Sequence, residues 1–203
     1  VIEGKILYAE HVYWACLSAL AAFSRLQEDR KRKAAKVLRK NLSFLKTWSQ
    51  MCEDNFSHKY HLVSAERAGL NGNNPVAMNM YERAIVLALK NGYLFDAAIA
   101  CELAAEFYLK LGFEQNGHVH LVNAYKLFAK YGAALKLKFL RAKYPEILSE
   151  LEHIPVQDYT EVDELDGGSD ERYIDGSAKG LEAFSGIGES ADFVALREMS
   201  DSF

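Results

Sequence analysis

Proline is scarce in this chain. There are three, at positions 75, 145 and 155, so little in the first two thirds forces a helix to stop. Cysteine is equally sparse: Cys16, Cys52 and Cys101 are odd in number and far apart, which argues against a disulfide framework. Each lies in an amphipathic context where a thiol acts as a small apolar group, so all three are expected to be reduced core residues. No run reaches the ~18 uninterrupted apolar residues of a membrane span, and the start lacks the basic-then-apolar layout of a signal peptide. These absences predict a cytoplasmic, reducing setting without membrane contact. The opening Val1, in place of Met, reads as a segment of something longer.

The residues of catalysis are also missing. A phosphate-cradling loop needs Gly-Lys-Ser/Thr between a strand and a helix, and Gly167-Gly168 and Gly186-Ile187-Gly188 have neither the lysine nor the flanking elements. No Ser or Cys stands beside a base in a nucleophile motif. The expectation is a chain with no catalytic residue, no cofactor site and no enzyme activity of its own.

What is present is apolar and helical in its period. Half of the 203 residues are hydrophobic, enough for one good-sized core. Charge is split: residues 1–145 hold 21 Lys/Arg against 12 Asp/Glu, and residues 146–203 hold 3 against 16, so +9 faces −13. A basic body with an acidic tail suits nucleic-acid binding, and it equally suits a tail that competes with a partner for the body's surface.

A repeat of 40 residues organises the body. Ala84, Leu87, Lys90 and Gly92 recur as Ala124, Leu127, Lys130 and Gly132, with Ile85 replaced by Tyr125; Ala65-Glu66 recurs as Ala105-Glu106. Three apolar stripes at helical spacing follow: Ala77, Met80, Tyr81, Ala84, Leu87 and Ala88; then Ala97, Ala100, Cys101, Ala104, Phe107, Tyr108 and Leu111; then Leu121, Ala124, Tyr125 and Phe128. Glycines at 72, 92, 112 and 132 fall where each helix should end, because glycine enters the left-handed C-cap cheaply. Upstream, residues 5–27 and 30–52 predict two longer helices, with Asp29 as the N-cap between them. The expected fold is all-α, a tetratricopeptide-like α-solenoid of antiparallel helix pairs over residues 1–150. A disordered acidic linker is expected at 151–190, and a short helix leading to a following domain at 191–203.

Several motifs in order carry a family resemblance: Asn55-Phe56-Ser57-His58-Lys59-Tyr60-His61 running on to Ala65-Glu66-Arg67-Ala68, then Tyr81-Glu82-Arg83-Ala84-Ile85, then Cys101-Glu102-Leu103-Ala104-Ala105-Glu106-Phe107-Tyr108, Tyr131-Gly132-Ala133 and Ala142-Lys143-Tyr144-Pro145. Over about residues 35–148 the chain resembles the tetratricopeptide-like region of large multidomain signalling proteins. Those proteins join a protein-kinase-like domain, an AAA-type ATPase, this region, a GAF domain and a histidine kinase. The resemblance implies connection and regulation, with the kinase and ATPase chemistry in other domains. The chain departs from the pattern at Gly117-His118-Val119-His120.

Other constellations have simpler readings. His58 and His61, three apart, lack a third ligand at a matching spacing, so they are expected to be structural or surface residues and not a metal site. His118 and His120 diverge on a helix, and His11 reads as a core or boundary residue. The run Arg30-Lys31-Arg32-Lys33 with Lys36, Arg39 and Lys40 is the solvent side of a helix whose other face is Ala34, Val37, Leu38, Leu42 and Leu45. It is also the cluster behind the alternative function, a nucleic-acid-binding helical array. Glu66, Glu102 and Glu106 sit on the first helices of successive pairs and are candidate contacts for a protein partner in the groove those helices line.

Overall fold

The computed structural model describes residues 6–149. The expected linker at 151–190 and the terminal helix within 191–203 lie outside the described residues. Among the described residues the chain is all-helical: α1 (Ile6–Ala22), a 3-10 turn (Phe23–Arg25), α2 (Glu28–Met51), α3 (Glu53–Leu70), α4 (Asn74–Lys90), α5 (Leu94–Lys110), α6 (Glu114–Tyr131), α7 (Ala134–Lys143) and α8 (Pro145–Leu148).

The connections repeat more faithfully than the helices. Gly72, Gly92, Gly112 and Gly132 all have φ between 75° and 83°, the left-handed region that L side chains resist. After α4, the Gly92 N–H donates to the Leu89 carbonyl and the Tyr93 N–H to the Ala88 carbonyl at 2.8 Å, the two bonds of a Schellman cap. The same pair of bonds closes α3, α5 and α6. Tyr93 then serves as the N-cap of α5, its carbonyl accepting from the Ala97 N–H, and Asn73, Phe113 and Ala133 do likewise for the helices they precede. One backbone solution is therefore used four times, 20 residues apart. No atom lies within 4 Å of a Cβ built on Gly92, so Gly92→Ala tests the dihedral alone. We expect a loss of about 1–2 kcal/mol, read as a lower midpoint in urea with unchanged slope; an unchanged midpoint would contradict the cap.

The predicted stripes face inward. Ala77, Tyr81, Ala84 and Ala88 of α4 are buried, as are Ala97, Ala100, Cys101, Ala104 and Tyr108 of α5 and Leu121, Ala124, Tyr125 and Phe128 of α6. The alanines let helix axes approach, and the rings fill the spaces opposite. The most extensive packing is α5 on α6 and α3 on α4, with α5 also against α4 and α3.

Several local expectations need correction. The first helix ends at Ala22, five residues early, because the chain tightens into the 3-10 turn and then extends at Leu26. Gln27, not Asp29, is the N-cap of α2; Asp29 lies in the first turn, where its charge meets the positive helix end without a side-chain capping bond. Val37 is 54% exposed and belongs to the solvent face of α2, whereas Leu38, Leu42 and Leu45 are buried. Cys16 and Cys101 are buried free thiols, but Cys52 is half-buried at the break between α2 and α3. His11 is exposed on α1 rather than at the core. No described helix is long and apolar enough to cross a membrane.

Candidate functional site

The three acidic candidates lie on α3 and α5, and each is engaged by a side chain from another helix. The Tyr81 hydroxyl donates to Glu66 at 2.5 Å. Lys136 of α7 donates to both Glu102 oxygens at 2.5 and 2.7 Å, and Lys143 to Glu106 at 2.5 Å. Burial raises the Glu66 carboxyl above the ordinary range, and the nearby Glu106 charge adds to the rise against the opposing Tyr81 bond and Lys110. Burial, then the Glu66 charge, raises the Tyr81 phenol. Lys143 is raised despite some burial because it donates to Glu106. Glu102 is buried, and Glu106 is half-buried and close to Glu66. Two ion pairs thus tie α5 to α7, and a tyrosine–carboxylate bond ties α3 to α4.

A second cluster was not anticipated. Lys59, in the second turn of α3, is 3% exposed, and its ammonium lies 2.5 Å from Asp96 Oδ2 of α5 and 3.0 Å from Glu10 Oε1 of α1. His58 Nε2 donates to the same Asp96 oxygen at 2.9 Å, and its ring stacks on Tyr93 at 4.4 Å. The ammonium also sits 4.5 Å from the centre of the buried Tyr13 ring. Burial pushes the Asp96 carboxyl up, but the His58 hydrogen bond and the Lys59 charge outweigh it and hold it below the ordinary range. Burial, with the Asp96 and Glu10 charges behind it, drives the Tyr13 phenol well above its ordinary value. Three helices are pinned at one point.

That cluster forms one wall of a cavity of about 620 Å³ lined by Glu10, Trp14, Lys59, Tyr93, Phe95, Asp96, Lys130 and Tyr131 with the backbone turn at Gly92. The N-terminus of α5 and the C-terminus of α6 meet there. The Phe95 ring lies 4.9 Å from that of Tyr131 and 6.4 Å from that of Trp14, so the aromatic lining is continuous. Trp14 and Tyr131 remain 37% and 53% exposed, which leaves two large rings at the mouth. A concave lining of four aromatic rings and four charged side chains suits an inserted side chain of a partner.

The histidines take separate paths. His61 Nδ1 lies 3.1 Å from the Met80 sulfur, and burial, helped by Arg83, lowers its pKa. His120 is buried, 3.1 Å from Glu82 and stacked on Tyr108 with ring planes 2° apart, whereas His118 points to solvent. Among the described residues no three His, Cys, Asp or Glu side chains converge as a metal site. Burial raises the Cys16 thiol to about 11 and lifts Cys101 further, so both thiols are held in the unreactive protonated form.

Among the described residues, fold and site together define an all-helical body with four like inter-helix turns, ion pairs between α5 and α7, and an aromatic-rimmed cavity beside a buried ion-pair cluster. Comparison with family models, curated proteins and solved structures gives no significant match.

Proposed function

We propose that this chain is a non-catalytic scaffold segment, a tetratricopeptide-like right-handed α-solenoid that docks neighbouring domains or a signalling partner inside a multidomain kinase–ATPase protein. The observation that carries the reading is the fourfold repetition of one Schellman turn at 20-residue intervals. When every connection imposes the same dihedrals, each helix pair follows its predecessor by a similar step, and such steps build a superhelix with an extended concave face. The Glu102–Lys136 and Glu106–Lys143 pairs hold α5 and α7 in register, and the aromatic cavity gives a protein partner a place to anchor.

The full-length reading frame tests the assignment first: an AAA-type ATPase upstream and a GAF domain downstream support it, and unrelated neighbours overturn it. Docking is tested separately by titrating those adjoining domains onto this chain and following Trp14 fluorescence in a Trp48→Phe background. Truncating an aromatic anchor commonly costs more than 1 kcal/mol, so Tyr131→Ala should weaken binding about tenfold. Equal affinity of Tyr131→Ala and the parent would remove the cavity from the docking surface.

A further inference from the structure

The cations of this chain are not equally available. On α7, Lys136 and Lys143 are engaged by Glu102 and Glu106, and Arg141 lies 5.2 Å from the Tyr125 ring. On α2, Lys31 and Arg32 meet only Glu28 and Asp29 of their own helix. Arg30, Lys33, Lys36 and Arg39 are exposed and form no ion pair or side-chain hydrogen bond among the described residues. Positions 30, 33, 37 and 40 form one row along the helix, with 36 and 39 in the adjoining row. The face is a band of like charges around the exposed Val37, and it repels itself unless an anion covers it.

The same chain carries such an anion. Residues 158–175 hold eight carboxylates against the single Arg172, with Tyr159, Val162 and Leu165 between them. Asp158 lies 9 residues and Asp175 26 residues beyond Ser149, so at about 3.3–3.6 Å per residue this stretch reaches roughly 30 to 90 Å from that point. If all helices stood in one row, six helix-to-helix steps of about 8–10 Å, roughly 50–60 Å, would separate α8 from α2; at full extension residues beyond about 166 reach that far, and a shorter separation brings the rest of the stretch within reach. Because the stretch is tethered to the body, its docking is intramolecular, and individually weak pairs add along the face.

We propose that residues 158–175 dock on the basic face of α2, against Lys33, Lys36, Arg39 and Lys40 around Val37, and so compete with any external polyanion for that face. The inference stands whether or not the chain belongs to a kinase–ATPase protein. Carbodiimide cross-linking of the full 203-residue chain, which joins only lysines and carboxylates already in contact, tests it directly. The expected product is an intramolecular link from Lys33, Lys36 or Lys40 to a carboxylate of 158–175. Its yield should fall about fivefold between 50 and 500 mM NaCl, as the screening length contracts from about 14 to about 4 Å. It should also be lost at Lys40 in K33E/K36E/R39E, whose exposed substitutions leave the helical circular dichroism unchanged. No link at either salt, an undiminished Lys40 link in that variant, or links confined to the lysines of α7 would overturn the proposal. A second arm replaces the eight carboxylates of 158–175 with Asn or Gln and measures binding of a 20-base-pair DNA duplex at 50 mM NaCl. The neutralised chain should bind at least about tenfold more tightly than the parent, because the face is uncovered. Equal binding would show that the tail does not occupy it.

Discussion

Asp96→Ala should destabilise the chain by about 3–5 kcal/mol, the usual cost of removing one partner from a buried pair and leaving the other charge uncompensated. For a chain of this length that corresponds to a fall in Tm of roughly 6–20 °C. Lys59 would keep only Glu10, at 3.0 Å and with its side chain 38% exposed, and His58 would lose the acceptor of its Nε2 proton. The double variant Lys59→Met/Asp96→Ala should be more stable than Asp96→Ala alone, because a buried pair can often be exchanged for apolar packing at little net loss. A double variant less stable than the sum of its singles would contradict this account. The pH dependence has a definite sign. The Asp96 carboxyl titrates lower in the folded chain than in the unfolded one, so its contribution is complete above the unfolded value of about 3.9 and is lost as pH falls towards the folded value. Asp96→Asn should therefore flatten the stability slope below about pH 4 and leave its shape near neutrality unchanged.

The second large effect is expected at Gly117. The residue is buried in α6, and a Cβ there would lie 2.5 Å from Leu109 Cγ, 2.6 Å from Leu109 Cδ2 and 3.3 Å from the Ala105 carbonyl oxygen of α5. Glycine in a helix interior forgoes about 1 kcal/mol relative to alanine, yet overpacking of this kind costs about 1–3 kcal/mol. Because the clash involves the branching carbon of Leu109 as well as a terminal methyl, and the Ala105 carbonyl stands close behind, the second term wins. Gly117→Ala should lose about 1 kcal/mol net and Gly117→Val about 3 kcal/mol, measured by urea denaturation. Pairing Gly117→Ala with Leu109→Ala should recover at least about 1 kcal/mol relative to additivity. Stabilisation by Gly117→Ala alone would mean that propensity and not contact governs the site. Histidines 118 and 120 follow from the same approach: once α6 lies close on α5, His120 is carried inward onto Tyr108 and Glu82 while His118 faces out.

Part of the site is written in the sequence as a spacing between opposite charges. Lys59 and Asp96 are 37 residues apart, as are Glu106 and Lys143, while Glu102 and Lys136 are 34 apart and His58 and Asp96 38. Helices α3, α5 and α7 begin about 40 residues apart, and a stagger of about one turn brings residues roughly 36–37 apart into contact. Opposite charges at that separation are the mark of these pairs. Glu66 and Glu106 are equivalent under the 40-residue repeat, and Glu102 lies one turn before Glu106; Lys136 and Lys143 stand at this offset from Glu102 and Glu106, whereas Tyr81, 15 residues from Glu66, reaches it from the adjacent helix α4. Asp96 was hidden for another reason. An acid in the first turn of a helix is ordinarily explained by the helix dipole, and nothing local distinguishes one that is also buried against a lysine from α3.

The sequence by itself determined the helical class, the apolar stripes and the placing of the turns, because these depend on periods of three to four residues and on the dihedral freedom of glycine, both local properties. It also determined that the body is basic and the end acidic. Only the tertiary structure decided which charges are already answered, which are exposed, and that three helices converge on Lys59 beside an aromatic cavity. Those outcomes depend on the stagger and approach of helices far apart in the chain, set by alanines, by Gly117 and by rings filling one another's gaps, and no local pattern encodes them.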